Sequence, residues 1–154
     1  MSAGGETQLA IRRMRADEAA AACAVWMRSK ERAYAFLTRA QRHTPEEDAA
    51  FFAGPLRQRC EIWIALRGER VVGVMALAGA LVDQLFVDPA DQGRGAGSAL
   101  LAHAQRLHPL GLALFTHQRN TRARGFYQAR GFRAVRFGVS PAPESEPDVR
   151  YEWP

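Results

Sequence analysis

The alternation of apolar and polar residues along the chain predicts an ordered mixture of strands and helices. Short segments either alternate, as in 9–14, or are almost wholly apolar, as in 81–87, and both patterns are typical of β-strands. Short turns join the second, third and fourth strands and therefore predict an antiparallel meander. The predicted strands are 9–14, 61–66, 71–78, 81–87, 111–116, 132–137 and 149–153.

Apolar residues spaced three and four positions apart predict helices between these strands. Asp17 is expected to cap the first helix, and Thr44 with Glu47 is expected to form a capping box on the second. We expect the second helix to end at Gly54-Pro55 and the last one at Gly131. The predicted helices are 19–37, 45–52, 95–107 and the segment between Asn120 and Gly131.

The length of 154 residues predicts one domain over 1–154, within which 1–8 are expected to be disordered. The chain is 47% hydrophobic but has no apolar run of the roughly 20 residues that a membrane span needs. Its first residues also lack the apolar core of a signal peptide. Cys23 and Cys60 have no metal-ligand spacing, so we interpret both as reduced thiols in a cytoplasmic protein without a membrane partner.

The formal charge of +5 raises the alternative of a nucleic-acid-binding protein. Lys30 is the one lysine, so the other 20 of the 21 basic residues are arginines, and they are scattered along the chain. Because no basic run is interleaved with aromatic residues, the composition favours an arginine-rich globular protein, and no nucleic-acid partner is expected. The excess of positive charge would nevertheless attract a polyanionic ligand.

A glycine-containing loop joins strand 81–87 to helix 95–107. Such a loop brings backbone N–H groups and the positive end of a helix dipole together, which is the arrangement that binds phosphate. The spacing of Gly93, Gly95 and Gly97 does not fit the dinucleotide fingerprint, because Ser98 stands where a third glycine is due. No Gly-Lys-Ser/Thr triplet of a P-loop is present either.

Two motifs identify the chain as a member of the GNAT superfamily of N-acetyltransferases. Gln92-x-x-Gly95-x-Gly97 resembles the family's Q/R-x-x-G-x-G/A motif, which binds the pyrophosphate of acetyl-CoA. Asn120-x-x-Ala123-x-x-Phe126-Tyr127-x-x-x-Gly131-Phe132 resembles the second motif. The resemblance implies an α/β fold with a mixed, mostly antiparallel sheet of about seven strands, helices on both faces, and parallel strands 81–87 and 111–116 that splay apart.

The resemblance also implies acetyl-CoA as co-substrate and no metal. In relatives a bulge frees backbone amides of the strand before the loop to bind the pantetheine arm and the acetyl oxygen. By position these amides belong to Leu85 and Val87, whereas Asn120 is expected to bond the CoA arm or to cap its helix. The residues expected to bind acetyl-CoA are Leu85, Phe86, Val87, Gln92, Gly93, Arg94, Gly95, Ala96, Gly97, Ser98, Asn120, Ala123 and Phe126.

Two residues are expected to move protons as an amine attacks the thioester directly in a ternary complex. Tyr127 matches the family's general acid, since a phenol stays protonated at neutral pH and can protonate the leaving thiolate. Asp83 stands where many relatives have a carboxylate base, and its shorter side chain would need a bridging water. The alternatives are a tyrosine that only packs against Phe132 and an aspartate that only pairs with an arginine.

The acceptor of the acetyl group stays open between a small amine and a protein or peptide amine. His43, in the loop before the second helix, and the acidic residues Glu144, Glu146 and Asp148 lie where relatives form the acceptor site. They could line that site or be solvated. A catalytically silent CoA-binding sensor or interaction domain is the main alternative function, and the resemblance leaves a homodimer open.

Overall fold

A computed structural model describes residues 8–154 of the chain. The expectation that residues 1–8 are disordered therefore falls, except for Gln8, outside the described residues. Within them, seven strands form one sheet in the order β1-β2-β3-β4-β5-β7-β6. The strands are β1 Leu9–Arg13, β2 Glu61–Arg67, β3 Arg70–Ala78, β4 Leu81–Val87, β5 Leu112–His117, β6 Arg133–Val139 and β7 Pro147–Trp153.

Neighbouring strands are antiparallel except for β4 and β5, which are parallel. This arrangement confirms the mixed, mostly antiparallel sheet expected from the sequence. Both faces of the sheet carry helices, and each face has its own core. The helices are α1 Ala19–Ala33, α2 Pro45–Phe51, α3 Arg57–Arg59, α4 Ala96–Leu107 and α5 Thr121–Gln128.

The apolar faces of the helices explain the two cores. On one face, Trp26 of α1 packs with Phe52 at a ring-centroid distance of 5.4 Å, over Ile64 and Val74 of the sheet. On the other face, α4 and α5 bury apolar residues against the same sheet, among them Leu100, Leu101, Leu114, Tyr127 and Tyr151. Because strands of the sheet are buried from both sides, their sequences are continuously apolar rather than alternating.

The first helix begins and ends differently from the sequence prediction. Asp17 does not cap α1, because it lies inside a 3₁₀ turn, and Glu18 precedes the helix instead. The helix was expected to reach residue 37 but ends at Ala33. There the guanidinium of Arg42 donates hydrogen bonds of 3.1 to 3.2 Å to the carbonyls of residues 34, 35 and 37. A side chain from outside the helix thus donates to carbonyls of the segment that follows its last turn.

The capping box at the start of α2 is confirmed, since the Thr44 hydroxyl accepts from the N–H of Glu47 at 3.1 Å. The prediction that this helix ends at Gly54-Pro55 is wrong. The chain continues through a π-helical turn, Phe52–Leu56, directly into α3. A π-turn has a different hydrogen-bond pattern from an α-helix and accommodates a proline that lacks an N–H. Burial of the side chains at both ends of the turn holds it against the core.

The parallel strands β4 and β5 separate after a short contact, and this separation positions the site. Their pairing comprises Leu81 with Ala113 and Val82 with Leu114. On the other side of β4, the register with β3 shifts at the next residue, so that Asp83 is the extra residue of a β-bulge. A bulge bends its strand and increases the local twist. Beyond Asp83, β4 therefore turns away from β5 and leaves a gap between them.

Candidate active site

A cleft of about 400 Å³ opens at this gap between β4, the glycine loop and α5. Ser29 and Ala33 of α1 form part of its wall. All but one of the residues expected to bind acetyl-CoA line this cleft, the exception being Arg94. Its lining from the predicted set comprises Leu85, Phe86, Val87, Gln92, Gly93, Gly95, Ala96, Gly97, Ser98, Asn120, Ala123 and Phe126.

The hydrogen-bond pattern of β4 directs two amides into the cleft. The Asp88 amide donates to the carbonyl of Val72 on β3 at 2.8 Å, which makes Asp88 and Val72 a hydrogen-bonded pair. Pairs alternate along an antiparallel ladder, so Val87 and Leu85 lie at positions whose N–H groups point away from β3. On that side β5 has already diverged. The two amides singled out from the sequence therefore face the gap.

The glycine loop is held by an ion pair between a buried carboxylate and an exposed arginine. Asp91, 1% exposed, accepts hydrogen bonds from both terminal nitrogens of Arg70, and these bonds lower the pKa of its carboxyl. Gly95 precedes α4 with a φ of +93°, a backbone conformation that L side chains rarely adopt. Arg94 does not line the cleft, because its guanidinium lies 3.7 Å from Asp91 and its carbonyl accepts a hydrogen bond from Arg67.

Arg130 is a cleft residue that sequence reasoning missed. Its guanidinium lies over the Phe126 ring at 3.8 Å from the ring centroid and donates to the Ser98 hydroxyl. It also donates to the Phe126 carbonyl at 2.9 Å. Arg122 lines the cleft as well. Both arginines occupy unspecified positions inside the second motif, so only the periodicity of α5 and its following turn could have suggested that they face the cleft.

The two residues of the second motif with proposed chemical roles are placed by α5. The Asn120 side chain caps the helix by accepting from the Ala123 amide at 3.1 Å, as the alternative interpretation required. Tyr127 lines the cleft and is 8% exposed, and this burial raises the pKa of its phenol. Its ring contacts Phe126 and Phe132 at centroid distances of 5.2 and 5.6 Å. A neutral phenol can donate a proton, so packing and a catalytic role are compatible.

A second cavity of about 550 Å³ lies on the other side of the bulge. Residues Leu81 to Gln84 of β4 line this cavity, whereas Leu85 to Val87 line the cleft, so the two spaces border adjoining segments of one strand. Its wall also contains ionisable or aromatic side chains from α1, α2, β5 and β7 and from the loops before α2 and β7. These are Lys30, Tyr34, His43, Asp48, His117, Glu144 and Asp148.

Asp83 lines this second cavity, but its carboxylate is already bound by other side chains. An Arg59 guanidinium nitrogen lies 3.1 Å from Oδ2 and 3.4 Å from Oδ1. The Gln84 amide also donates to Oδ1 at 2.8 Å. The structure thus contains the arginine pair that was the alternative to a catalytic role, and the role as base stays a prediction.

The acidic residues near the chain end divide between two environments. Glu144 and Asp148 line the cavity, as does His43. Glu146 does not, because it is buried in an ion pair with Arg119, whose Nε lies 2.7 Å from Oε2. The hydrogen bond from Arg119 lowers the pKa of the Glu146 carboxyl, so this carboxylate is interpreted as structural.

His117 and Tyr34 are further cavity residues that belong to neither sequence motif. His117 lies at the end of β5, is 5% exposed, and places Nε2 at 2.9 Å from Oε1 of Glu144. Burial raises the pKa of Tyr34, and the charge of Glu144 adds to this effect. The Tyr34 ring spans the gap, with its centroid 4.6 Å from His117 and 5.8 Å from Phe86.

In the part of the chain that the structure describes, no group of three or more His, Cys, Asp or Glu side chains could hold a metal ion. Between residues 8 and 154, no helix has both the length and the apolar character for crossing a membrane.

Comparison with known proteins agrees with this geometry. The family profile described as an acetyltransferase (GNAT) domain matches residues 58–134. The peptidyl-lysine N-acetyltransferase YjaB of Salmonella typhimurium is 37% identical over 126 residues, which cover 81% of this chain and 83% of that protein.

Solved structures share the fold over nearly the whole chain. Apo-form YjaB from Escherichia coli superposes with a TM-score of 0.79 at 28% identity, covering 95% of this chain and 97% of that chain. The PaiA N-acetyltransferase from Thermoplasma acidophilum, solved in complex with coenzyme A, superposes with a TM-score of 0.74 at 17% identity, covering 95% of this chain and 98% of that one.

A split parallel pair, a glycine loop on a helix N-terminus and two cavities that meet at one strand define an acyltransferase. With the profile match and the identity to YjaB, the chain belongs to the GNAT acetyltransferase family. Its activity is the transfer of an acetyl group to an amine.

Proposed function

We propose that this enzyme transfers the acetyl group of acetyl-CoA to the side-chain amine of lysine in a protein or peptide. The observation that carries the proposal is the meeting of the cleft and the second cavity along β4, which brings two substrates to one point. A lysine acceptor is supported by YjaB, which is named a peptidyl-lysine N-acetyltransferase and resembles this chain over most of its length. The carboxylates of the second cavity suit a cationic acceptor.

The residues of the cleft fit acetyl-CoA. The glycine loop and the first turn of α4 would bind the pyrophosphate, because backbone N–H groups and the helix dipole favour an anion there. The Leu85 and Val87 amides would bind the pantetheine arm and the acetyl oxygen. Arg130 supplies a full positive charge that is already oriented by Phe126 and Ser98. Arg94, directed to Asp91, would act on the phosphates only through long-range attraction.

We further propose that Tyr127 is the general acid. The amine attacks the carbonyl carbon, the carbon–sulfur bond breaks, and the phenol protonates the sulfur as CoA leaves. The raised pKa of the phenol keeps it protonated at neutral pH. Asp83 stays the sequence-based proposal for the base that accepts the amine proton through a water molecule. A cytoplasmic location and a homodimer likewise stay predictions.

The activity can be tested by incubating the purified protein with acetyl-CoA and lysine-containing peptides, followed by mass spectrometry. We expect a mass increase of one acetyl group on lysine, and no product from matched peptides in which arginine replaces lysine. Small polyamines and amino-sugar amines serve as competing acceptors. Product from small amines alone would refute the peptide acceptor, whereas acetyl-CoA binding without any turnover would favour the silent sensor.

A further inference from the structure

His117 has a buried ring nitrogen that the proposed function does not use. Its Nδ1 is inaccessible to solvent, and no described residue lies within hydrogen-bond distance of it. A buried polar atom without a partner is costly and usually signals a ligand or a chemical role. The same side chain lines the second cavity, so a substrate bound there could become the missing partner once the aromatic rings packed on the imidazole, those of Tyr34 and Phe36, adjust to expose Nδ1.

The strand register places His117 beside the expected reaction point. Pairing of β4 with β5 ends at Val82 and Leu114, and His117 lies three residues further along β5. Three residues along β4 from Val82 is Leu85, whose amide faces the same gap. A regular strand advances about 10 Å over three residues, and the bulge at Asp83 shortens that of β4, so His117 and the Leu85 amide both lie within about 10 Å of the last β4–β5 pair along their strands.

Glu144 determines which nitrogen of the imidazole can accept a proton. A carboxylate only accepts hydrogen bonds, so the 2.9 Å contact requires the hydrogen to be on Nε2 of His117. In the neutral ring Nδ1 then carries the free lone pair. Burial pushes the pKa of Glu144 upward, but the hydrogen bond from His117 and the charges of His117 and Lys30 lower it overall. Glu144 therefore stays ionised and stabilises an imidazolium.

We propose that Nδ1 of His117 accepts the proton of the attacking amine and that Glu144 positions the imidazole for this step. The inference rests on the proposed function and assigns the base within it. As the amine nitrogen bonds to the acetyl carbon, its proton moves to Nδ1. The carbon–sulfur bond then breaks, and the sulfur takes its proton from Tyr127. The amide product leaves with CoA, and the imidazolium gives its proton to water while Nδ1 is still exposed by the same adjustment of the neighbouring rings.

Asp83 is less suited to this step than His117. Three N–H···O contacts from Arg59 and Gln84 already occupy its carboxylate, whereas Nδ1 has none from described residues. The Asp83–Arg59 pair is therefore inferred to shape the cavity wall. The Tyr34 ring, which contacts both His117 and Phe86, holds the imidazole against the gap.

Other charged groups surround His117 and will contribute to any pH dependence. The facing groups are Lys30 of α1, Tyr34 just after it, His43 of the loop before α2, Asp48 of α2, Asp83 of β4, Glu144 and Glu146 of the loop before β7, and Asp148 of β7. Among these, burial raises the pKa of Asp148. Carboxylates generally titrate below neutrality, and lysine and tyrosine well above it. Imidazole is the side-chain type whose ordinary pKa lies nearest neutrality, so the loss of pH dependence near neutrality in one histidine variant is the readout that identifies the base.

The test is the pH profile of kcat/KM for the lysine peptide in wild type, His117→Gln and Asp83→Asn. We expect wild type to rise through about pH 6–8 and His117→Gln to lose roughly 10²-fold at neutral pH, recovering only toward pH 9–10, where free amine is abundant. Asp83→Asn should keep the rise in kcat/KM with pH near neutrality. Glu144→Gln should move the rise in kcat/KM to lower pH, because a neutral amide stabilises an imidazolium less than a carboxylate does.

His103 provides a matched control, because its Nε2 is also buried without a described partner but it packs against Trp63, away from both cavities. His103→Gln should leave the profile unchanged, and acetyl-CoA titration verifies that every variant is folded. The proposal is overturned if folded His117→Gln keeps the rise in kcat/KM near neutrality, whichever other residue then acts as the base. Absence of peptide acetylation by wild type would instead refute the proposed function, so the two failures differ.

Discussion

Replacement of Gly95 by alanine tests the phosphate site without adding charge. Gly95 has a φ of +93°, and a Cβ at this position would meet no heavy atom within 4 Å. The substitution therefore creates no clash within the protein. Its cost in stability comes from the left-handed backbone alone, which we expect to be roughly 1–2 kcal/mol.

Gly79 offers a control with the same backbone character in a different place. It lies in the turn between β3 and β4, has a φ of +58°, and also has open space where a Cβ would be. Gly79→Ala should therefore lower the free energy of unfolding by a similar amount. For both variants this corresponds to a fall in Tm of about 2–8 °C in a chain of this size, measurable by thermal unfolding followed by circular dichroism.

The two variants should differ in acetyl-CoA binding. If the pyrophosphate lies against the backbone of the loop, the added methyl group at residue 95 occupies the space that it needs. We expect the Kd of Gly95→Ala to rise at least tenfold, or about 1.4 kcal/mol, and that of Gly79→Ala to match wild type by calorimetric titration. Binding within twofold of wild type by a folded Gly95→Ala would refute the assignment of the anion site to this loop.

Three further outcomes test other parts of the site. Tyr127→Phe should lower kcat about 10²-fold with little change in acetyl-CoA affinity, measured by thiol release under conditions where chemistry limits the rate. Arg130→Met keeps a long side chain on Phe126 but loses the charge, and should weaken acetyl-CoA binding several-fold, more at low than at high salt. Asp91→Asn should lower the free energy of unfolding by about 2 kcal/mol at pH 7. Since hydrogen bonds from Arg70 lower the pKa of Asp91, the wild type holds this stability above the unfolded carboxyl's pKa and loses it as the pH falls through the lower native pKa. The free energies of unfolding of the two proteins should therefore begin to converge only below about pH 4.

The parts of the fold that sequence predicted are those with local physical causes. Strand β4 is apolar because helices cover both faces of the sheet, and the glycine loop is visible because few other residues adopt its backbone angles. Asn120 was recognisable as a helix cap from its position alone. The capping box of α2 was readable for the same reason, since both of its partners lie within one turn.

The errors and omissions arise where a distant residue decides the outcome. The end of α1 depends on Arg42, eight residues beyond its C-cap. The Asp83 carboxylate is paired with Arg59, which is 24 residues away in the sequence. The imidazole of His117 is hydrogen-bonded to Glu144, which is 27 residues away. No local pattern encodes such pairs. Their charges were visible in the sequence, but which acid would meet which base became known only from the packing of the loops.

The break at the end of α1 has a functional consequence that its sequence does not show. Ser29 and Ala33 line the cleft, whereas Lys30 lines the second cavity, so one helix forms part of both walls. The Ser29 hydroxyl contacts the Val87 carbonyl at 2.8 Å and ties the helix to the diverging strand. Because α1 ends at Ala33, Tyr34 is free of the helix and its ring lies against both His117 and Phe86, beside the point at which the proposed substrates would meet.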